Sequence, residues 1–177
     1  MKSPIPAQYS DAEFTALPLE ERAILIASTQ VGVEEVPRGS NWGPMVKLYL
    51  KAAGILSPAF WCAAFVYWCY VSAGCPRKLL WKNPASTLSM YEWAVKTGRL
   101  ISHPVPRGLF VYWSPGGGHT GFVPGAEPAS NSFRTIEGNT NDGGSRNGYK
   151  VARRTRVESQ VASHTKFGYI DMRGLIK

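Results

Sequence analysis

Apolar positions keep a helical spacing up to about residue 98 and a strand spacing beyond it. In LEERAILIASTQVGVEE, residues 19–35, Ala23, Ile24, Ala27 and Val31 form one stripe behind Pro18, which predicts a helix. GPMVKLYLKAAG, residues 43–54, predicts a second, with Pro44 in its first turn and Gly54 as its stop. FWCAAFVYWCYVSAGC, residues 60–75, is almost wholly apolar and predicts a third, buried helix between Pro58 and the stop at Gly74 and Pro76. ASTLSMYEWAVKTG, residues 85–98, predicts a fourth, capped by Ser86 or Thr87 and ended by Gly98.

After Gly98 the runs shorten and become rich in β-branched and aromatic residues. GLFVYWS, HTGFVPG, SFRTIEGN, YKVARRTRV and FGYIDM are separated by Gly, Pro, Asn and Asp and predict strands. PGGG at 115–118 and NTNDGGSRNG at 139–148 read as loops. Helices first and strands afterwards predict an α+β domain, with N-terminal helices packed on an antiparallel β-sheet. A chain of 177 residues, 44% of them hydrophobic, fills one core and is short for two. Residues 1–15 are expected to be a flexible tail, and residues 16–177 a single domain.

All three cysteines lie in the third helical stretch. Three thiols cannot all pair, and a chain of this size needs no disulfide framework, so reduced thiols are expected. Position along the helix separates their chemistry. Cys62 falls in the first turn, where unpaired N–H groups and the positive end of the macrodipole stabilise a thiolate. Cys69 lies inside, among Val66, Trp68 and Tyr70, and reads as a small hydrophobe; Cys75 sits past the helix end, where the dipole opposes a thiolate. Cys62 is the candidate nucleophile, against the plainer reading of a packed core thiol. The spacings of seven and six residues between the cysteines are not zinc-ligand spacings, and no metal or other cofactor is expected.

A nucleophilic thiol needs a base. His103 and His164 lie in connecting segments, whereas His119 opens a strand pattern between Gly118 and Gly121, whose missing side chains leave room for a substrate. In TIEGNTND, Glu137 and Asn139 are two residues apart, which places them on one face of a strand. If the strands of His119 and Glu137 pair, the carboxylate reaches the imidazole and sets its tautomer. Asn139 is then in reach of either the imidazole or a developing oxyanion, although Gly-Asn at a strand end is also ordinary turn chemistry.

Net charge widens the list of partners. Twenty Lys and Arg against 12 Asp and Glu give a formal charge of +8, which suits an anionic polymer or surface. KVARRTR, residues 150–156, alternates and reads as a solvated strand face or an anion site. No nucleic-acid motif accompanies the charge, so no nucleic-acid partner is expected. No run approaches the ~20 apolar residues of a membrane span, so no stable membrane insertion is expected. MKSPIPAQYSDAEF lacks the apolar stretch of a secretory signal, and synthesis in the cytoplasm without a signal peptide is expected.

Taken in order after helical segments, WCAAFVYWC, GHTGFV and IEGNT resemble the CHAP domain family of cysteine amidohydrolases and peptidases, within the papain-like group. The resemblance runs from about residue 20 to the C-terminus. It implies a papain-like fold, Cys62 as nucleophile, His119 as base, Glu137 as the residue orienting it, and Asn139 as a fourth polar residue. It also implies hydrolysis of an amide in bacterial peptidoglycan, either within the peptide or between glycan and peptide. Two features depart from the family. Gly108-Leu109 stands where many members have Gly-Asp, and NWGPMVKLYL offers none of the aspartates with which some phage members bind calcium. No separate wall-binding repeat is recognisable.

Trp61, Tyr112 and Trp113 are candidate groove-lining residues, against the plainer reading of core aromatics. A monomer is expected, acting in the periplasm or cell wall after release as a phage lysin or delivery as an interbacterial effector. An effector implies a delivery or immunity partner. The alternatives are a cysteine amidase acting on a non-wall amide, and a basic binding module whose thiol is inert.

Overall fold

The computed structural model describes residues 5–125, 131–141, 143 and 147–176. Among these described residues six α-helices and six strands follow one another as α1 (Asp11–Ala16), α2 (Leu19–Thr29), α3 (Pro44–Ala52), α4 (Cys62–Ser72), α5 (Thr87–Lys96), β1 (Leu100–Ile101), β2 (Gly108–Ser114), β3 (Gly117–Val123), β4 (Ser132–Thr140), β5 (Lys150–Val157), α6 (Glu158–Ala162) and β6 (Lys166–Ile170), with a 3-10 turn at Arg77–Leu79. The strands form one antiparallel sheet in the order β1-β6-β2-β3-β4-β5. The protein is thus an α+β fold, as the change of spacing at Gly98 implies.

Strand alternation divides the apolar residues between two faces. Leu109, Val111, Phe122, Ile136 and Ile170 pack with Ala63, Phe65, Val66 and Tyr70 of α4 and with the neighbouring helices. Phe110, Tyr112, Val123, Phe133 and Tyr169 form a second cluster, closed by Val161 of α6. Eight of the 11 residues of α4 are buried, so its sequence is apolar all round and has no polar face to mark an orientation.

Several boundaries differ from expectation. The segment expected to be a tail contains α1: Ser10 and Glu13 form a reciprocal capping box, and Phe14 is buried. The first predicted helix stops at Thr29 rather than continuing to residue 35. Gly32 takes φ +92, and residues 32–35 then run beside the sheet, with Gly32 N–H donating to Val151 O and Glu35 N–H to Tyr149 O. PGGG is a tight two-residue turn, with Gly117 and Gly118 already in β3. The polar segment before β6 contributes α6, and Leu100–Ile101 forms a short edge strand. Of the loop predicted at 139–148, Asn139 and Thr140 belong to β4, and residues 142 and 144–146 lie outside the described residues.

Gly148 allows the chain to return against β4. Its N–H donates to Asn139 O at 3.0 Å, and the next residue's N–H donates to Thr140 O at 3.0 Å. A Cβ at Gly148 would overlap the backbone of Thr140. Gly148→Ala is therefore expected to cost at least about 2 kcal/mol of stability, measured by urea denaturation; a variant as stable as wild type would show that this approach is not required.

Candidate active site

The site is assembled at β4, where one strand serves two elements. Glu137 is wholly buried, and a carboxylate there must be compensated. Arg156 of β5 forks onto it, Nε to Oε1 and a terminal nitrogen to Oε2, both at 2.6 Å. The Thr135 hydroxyl donates to Oε1 at 2.6 Å, and His119 Nε2 lies 2.9 Å from Oε2. Gly121 makes the path possible, because a Cβ there would stand 2.8 Å from Glu137 Cγ. Its lack of a side chain serves the carboxylate rather than an incoming substrate. These contacts hold the Glu137 carboxyl well below the usual carboxylate range: burial pushes it up, and the hydrogen bonds and charges of His119 and Arg156 outweigh that.

His119 is also fully buried, with its ring 5.9 Å from that of Phe110 and 6.0 Å from that of Tyr112. Nδ1 has no conventional hydrogen-bond partner. With Nε2 committed to Glu137, the interaction of the ring with the Cys62 thiol falls to Nδ1. Burial alone disfavours the imidazolium, but Cys62 and Glu137 together raise the His119 pKa to about 9. Cys62 is the first residue of α4 and is 5% exposed, the part of the triad nearest to solvent.

Trp61, the residue before the thiol, caps α4 without any side-chain cap of its own. Two buried groups hold it instead. Its indole N–H donates to Glu35 Oε1 at 2.8 Å, and Glu35 Oε2 also accepts from Asn41 N–H at 2.9 Å. With the Asn139 amide oriented to satisfy both its ends, its oxygen accepts from Trp61 N–H at 3.1 Å and its nitrogen donates to Gly148 O at 2.5 Å. Asn139 reaches back to α4 because it adopts φ +54 within an irregularity of the β4–β5 register between Glu137 and Thr140.

Expectations for three of these residues therefore change. Asn139 does not share the face of Glu137 and does not meet the imidazole; its side chain is spent on the helix start. Trp61 is completely buried, stacked on Tyr49 at 5.7 Å, and lines no groove. Tyr112 is buried beside His119, and its ring stacks on His164 at 3.7 Å. Only Trp113 of the three candidate aromatics is partly exposed. Sequence reasoning missed Arg156, Thr135 and Glu35. The alternation of Thr135 with Glu137 was a usable signal for a hydroxyl donor to the carboxylate; nothing local marks Arg156 or Glu35.

A thiol at a helix start, coupled to a histidine that a buried carboxylate anchors, is the arrangement of thiol hydrolases. The family model described as the CHAP domain matches residues 56–139, a stretch that holds Cys62, His119, Glu137 and Asn139. This is a domain of amidases and peptidases. No curated protein and no solved structure matches the chain.

Two outcomes follow from the buried pair. Glu137→Gln leaves the Arg156 guanidinium without its counter-charge and is expected to cost about 3–5 kcal/mol in denaturant unfolding; a loss under 1 kcal/mol would show that water compensates Arg156 instead. Stability should also depend on pH at both ends. The contribution of His119, whose value rises from 6.5 to about 9, is complete below 6.5 and fades as pH rises through 9. That of Glu137, lowered from 4.5, is present above 4.5 and fades as pH falls through the depressed value. Thermal unfolding from pH 3 to 10 reads both limbs, and His119→Gln should diminish the alkaline one.

Proposed function

We propose that the protein hydrolyses an amide bond of bacterial peptidoglycan by thiol catalysis. The observation that carries this reading is the buried His119–Glu137 pair at 2.9 Å, coupled to the thiol at the start of α4. A module that only binds has no use for an imidazole enclosed between a carboxylate and a thiol.

The Cys62 thiolate attacks the carbonyl carbon, and the resulting oxyanion is met by N–H groups of the first turn of α4. As the C–N bond breaks, His119 gives its proton to the leaving amine. A water then loses a proton to His119 and attacks the thioester, which releases the carboxylic acid and restores the thiolate–imidazolium pair. Glu137 keeps the ring oriented and its charge compensated throughout. The net charge of +8 favours a wall rich in carboxylates and phosphates. No helix among the described residues is long and apolar enough to cross a membrane, and action in the periplasm or wall after release or delivery agrees with that.

The test is hydrolysis of purified sacculi with identification of the new termini by mass spectrometry. Cys62→Ala and His119→Ala should each abolish release of muropeptides while keeping the fold, whereas Cys69→Ala should retain activity and lose about 1 kcal/mol of stability. Activity should survive dialysis against EDTA, be lost to iodoacetamide, and fall on the alkaline side near pH 9 as His119 deprotonates. Loss on chelation with recovery on adding zinc would falsify the thiol mechanism. Activity on small amides but none on sacculi would move the substrate away from the wall.

A further inference from the structure

Sequence patterns direct attention to Trp61 and Tyr112 as substrate contacts, and both are buried. Phe60, immediately before Trp61, is the aromatic that remains open beside the nucleophile, with 59% of its surface exposed. It faces the backbone of Gly116, Gly117 and Gly118 across a small notch of about 30 Å³ open to solvent. One wall of this notch thus lies two residues before Cys62, and the other ends one residue before His119.

The glycine wall has an unpaired edge. Ser114 and Gly117 close the two-residue β2–β3 hairpin, so hydrogen-bonded pairs recur at Tyr112↔His119 and Phe110↔Gly121. Gly118, at the alternate position, directs its N–H and C=O away from β2, toward the side of β4. There the β3–β4 ladder comprises Phe122↔Ile136 and does not extend to Gly118. A strand edge left open beside a thiol is a template for an extended peptide. On its inner side Gly118 has no room for a side chain, because a Cβ would strike Tyr112 O and Thr87 Oγ1.

We infer that Phe60 and the Gly118 strand edge form a substrate subsite that takes an extended peptide, with an alanine-sized side chain beside the scissile amide seated against the Phe60 ring. This rests on the hydrolase reading for its place in the reaction, but not for its binding. The backbone of the peptide pairs with Gly118, and the narrow notch between ring and turn excludes branched or aromatic side chains at that position.

Binding to a catalytically silent protein separates the two claims. Isotope-labelled Cys62→Ala protein is titrated with the peptide Ala-Glu-Lys-Ala and with versions in which valine or leucine replaces each alanine. The alanine peptide should shift the Gly118 amide resonance and bind at least about tenfold more tightly than the bulkier versions. Adding Phe60→Ala should weaken binding about tenfold and remove the size preference, with the melting temperature unchanged because the ring is mostly exposed. Retained affinity and size preference in Phe60→Ala, an unmoved Gly118 amide, or no binding by any of the peptides overturns the subsite. Peptide binding as expected, with no hydrolysis of sacculi by the wild-type protein, leaves the subsite standing and removes the wall-hydrolase reading. Hydrolysis of sacculi by Phe60→Ala with an unaltered KM does the reverse.

Discussion

A carboxylate with no access to water holds this site together. Glu137 is enclosed at the centre of the sheet, and its charge is tolerable only because Arg156, Thr135 and His119 all turn toward it. That requirement reaches outward. It sets the register of β4 on β5, which pairs Phe133 with Arg156 and so brings the guanidinium within reach. It demands glycine at position 121, where a methyl group would block the carboxylate from the imidazole. It also raises the proton affinity of His119, so the imidazolium persists at neutral pH and can accompany a thiolate.

The Cys62 thiol depends on a second set of constraints that meets the first on the same strand. α4 begins at an uncapped tryptophan, and its position is set from outside by Glu35 and Asn139. Both are anchored to one short stretch of backbone: Asn139 bonds to Gly148, and Glu35 to Tyr149. The irregularity in β4 is what reconciles the two tasks. With Asn139 in the left-handed region, the strand presents Glu137 to His119 on one face and, two residues later, an amide to the helix that carries the thiol. A regular strand would have directed both side chains to the same face, leaving either the histidine or the helix start unsupported.

Electrostatic strength and access are then separate problems in this fold. The charged groups are sealed in, where a low dielectric strengthens their interactions. Cys62 is the least buried of Cys62, His119 and Glu137, and Phe60, two residues before it, is exposed. Burying the aromatics once expected to line a groove is consistent with this division: Trp61 and Tyr112 stiffen the walls of the site and make no surface for a ligand.

The change from helices to strands, the place of Cys62 at a helix start and the pairing of the His119 and Glu137 strands were legible in the chain itself. They depend on local signals: helical against alternating spacing, proline and glycine punctuation, and a thiol at a helix start. Residues whose roles come from distant contacts were not legible. Arg156 is 19 residues from the carboxylate it holds, and Glu35 is 26 from the indole it receives; the first lies in a run that reads as a solvated strand face or an anion site, the second at the end of a predicted helix. Asn139 was named from its strand, but period-two geometry assigned it to the wrong face, because a bulge and a positive φ are decided by how Gly148 packs back on Thr140. Local sequence therefore determined on which elements the reactive side chains stand. Only the tertiary structure decided which of them touch, because a buried charge selects its partners by proximity in space, and no periodicity along the chain records that distance.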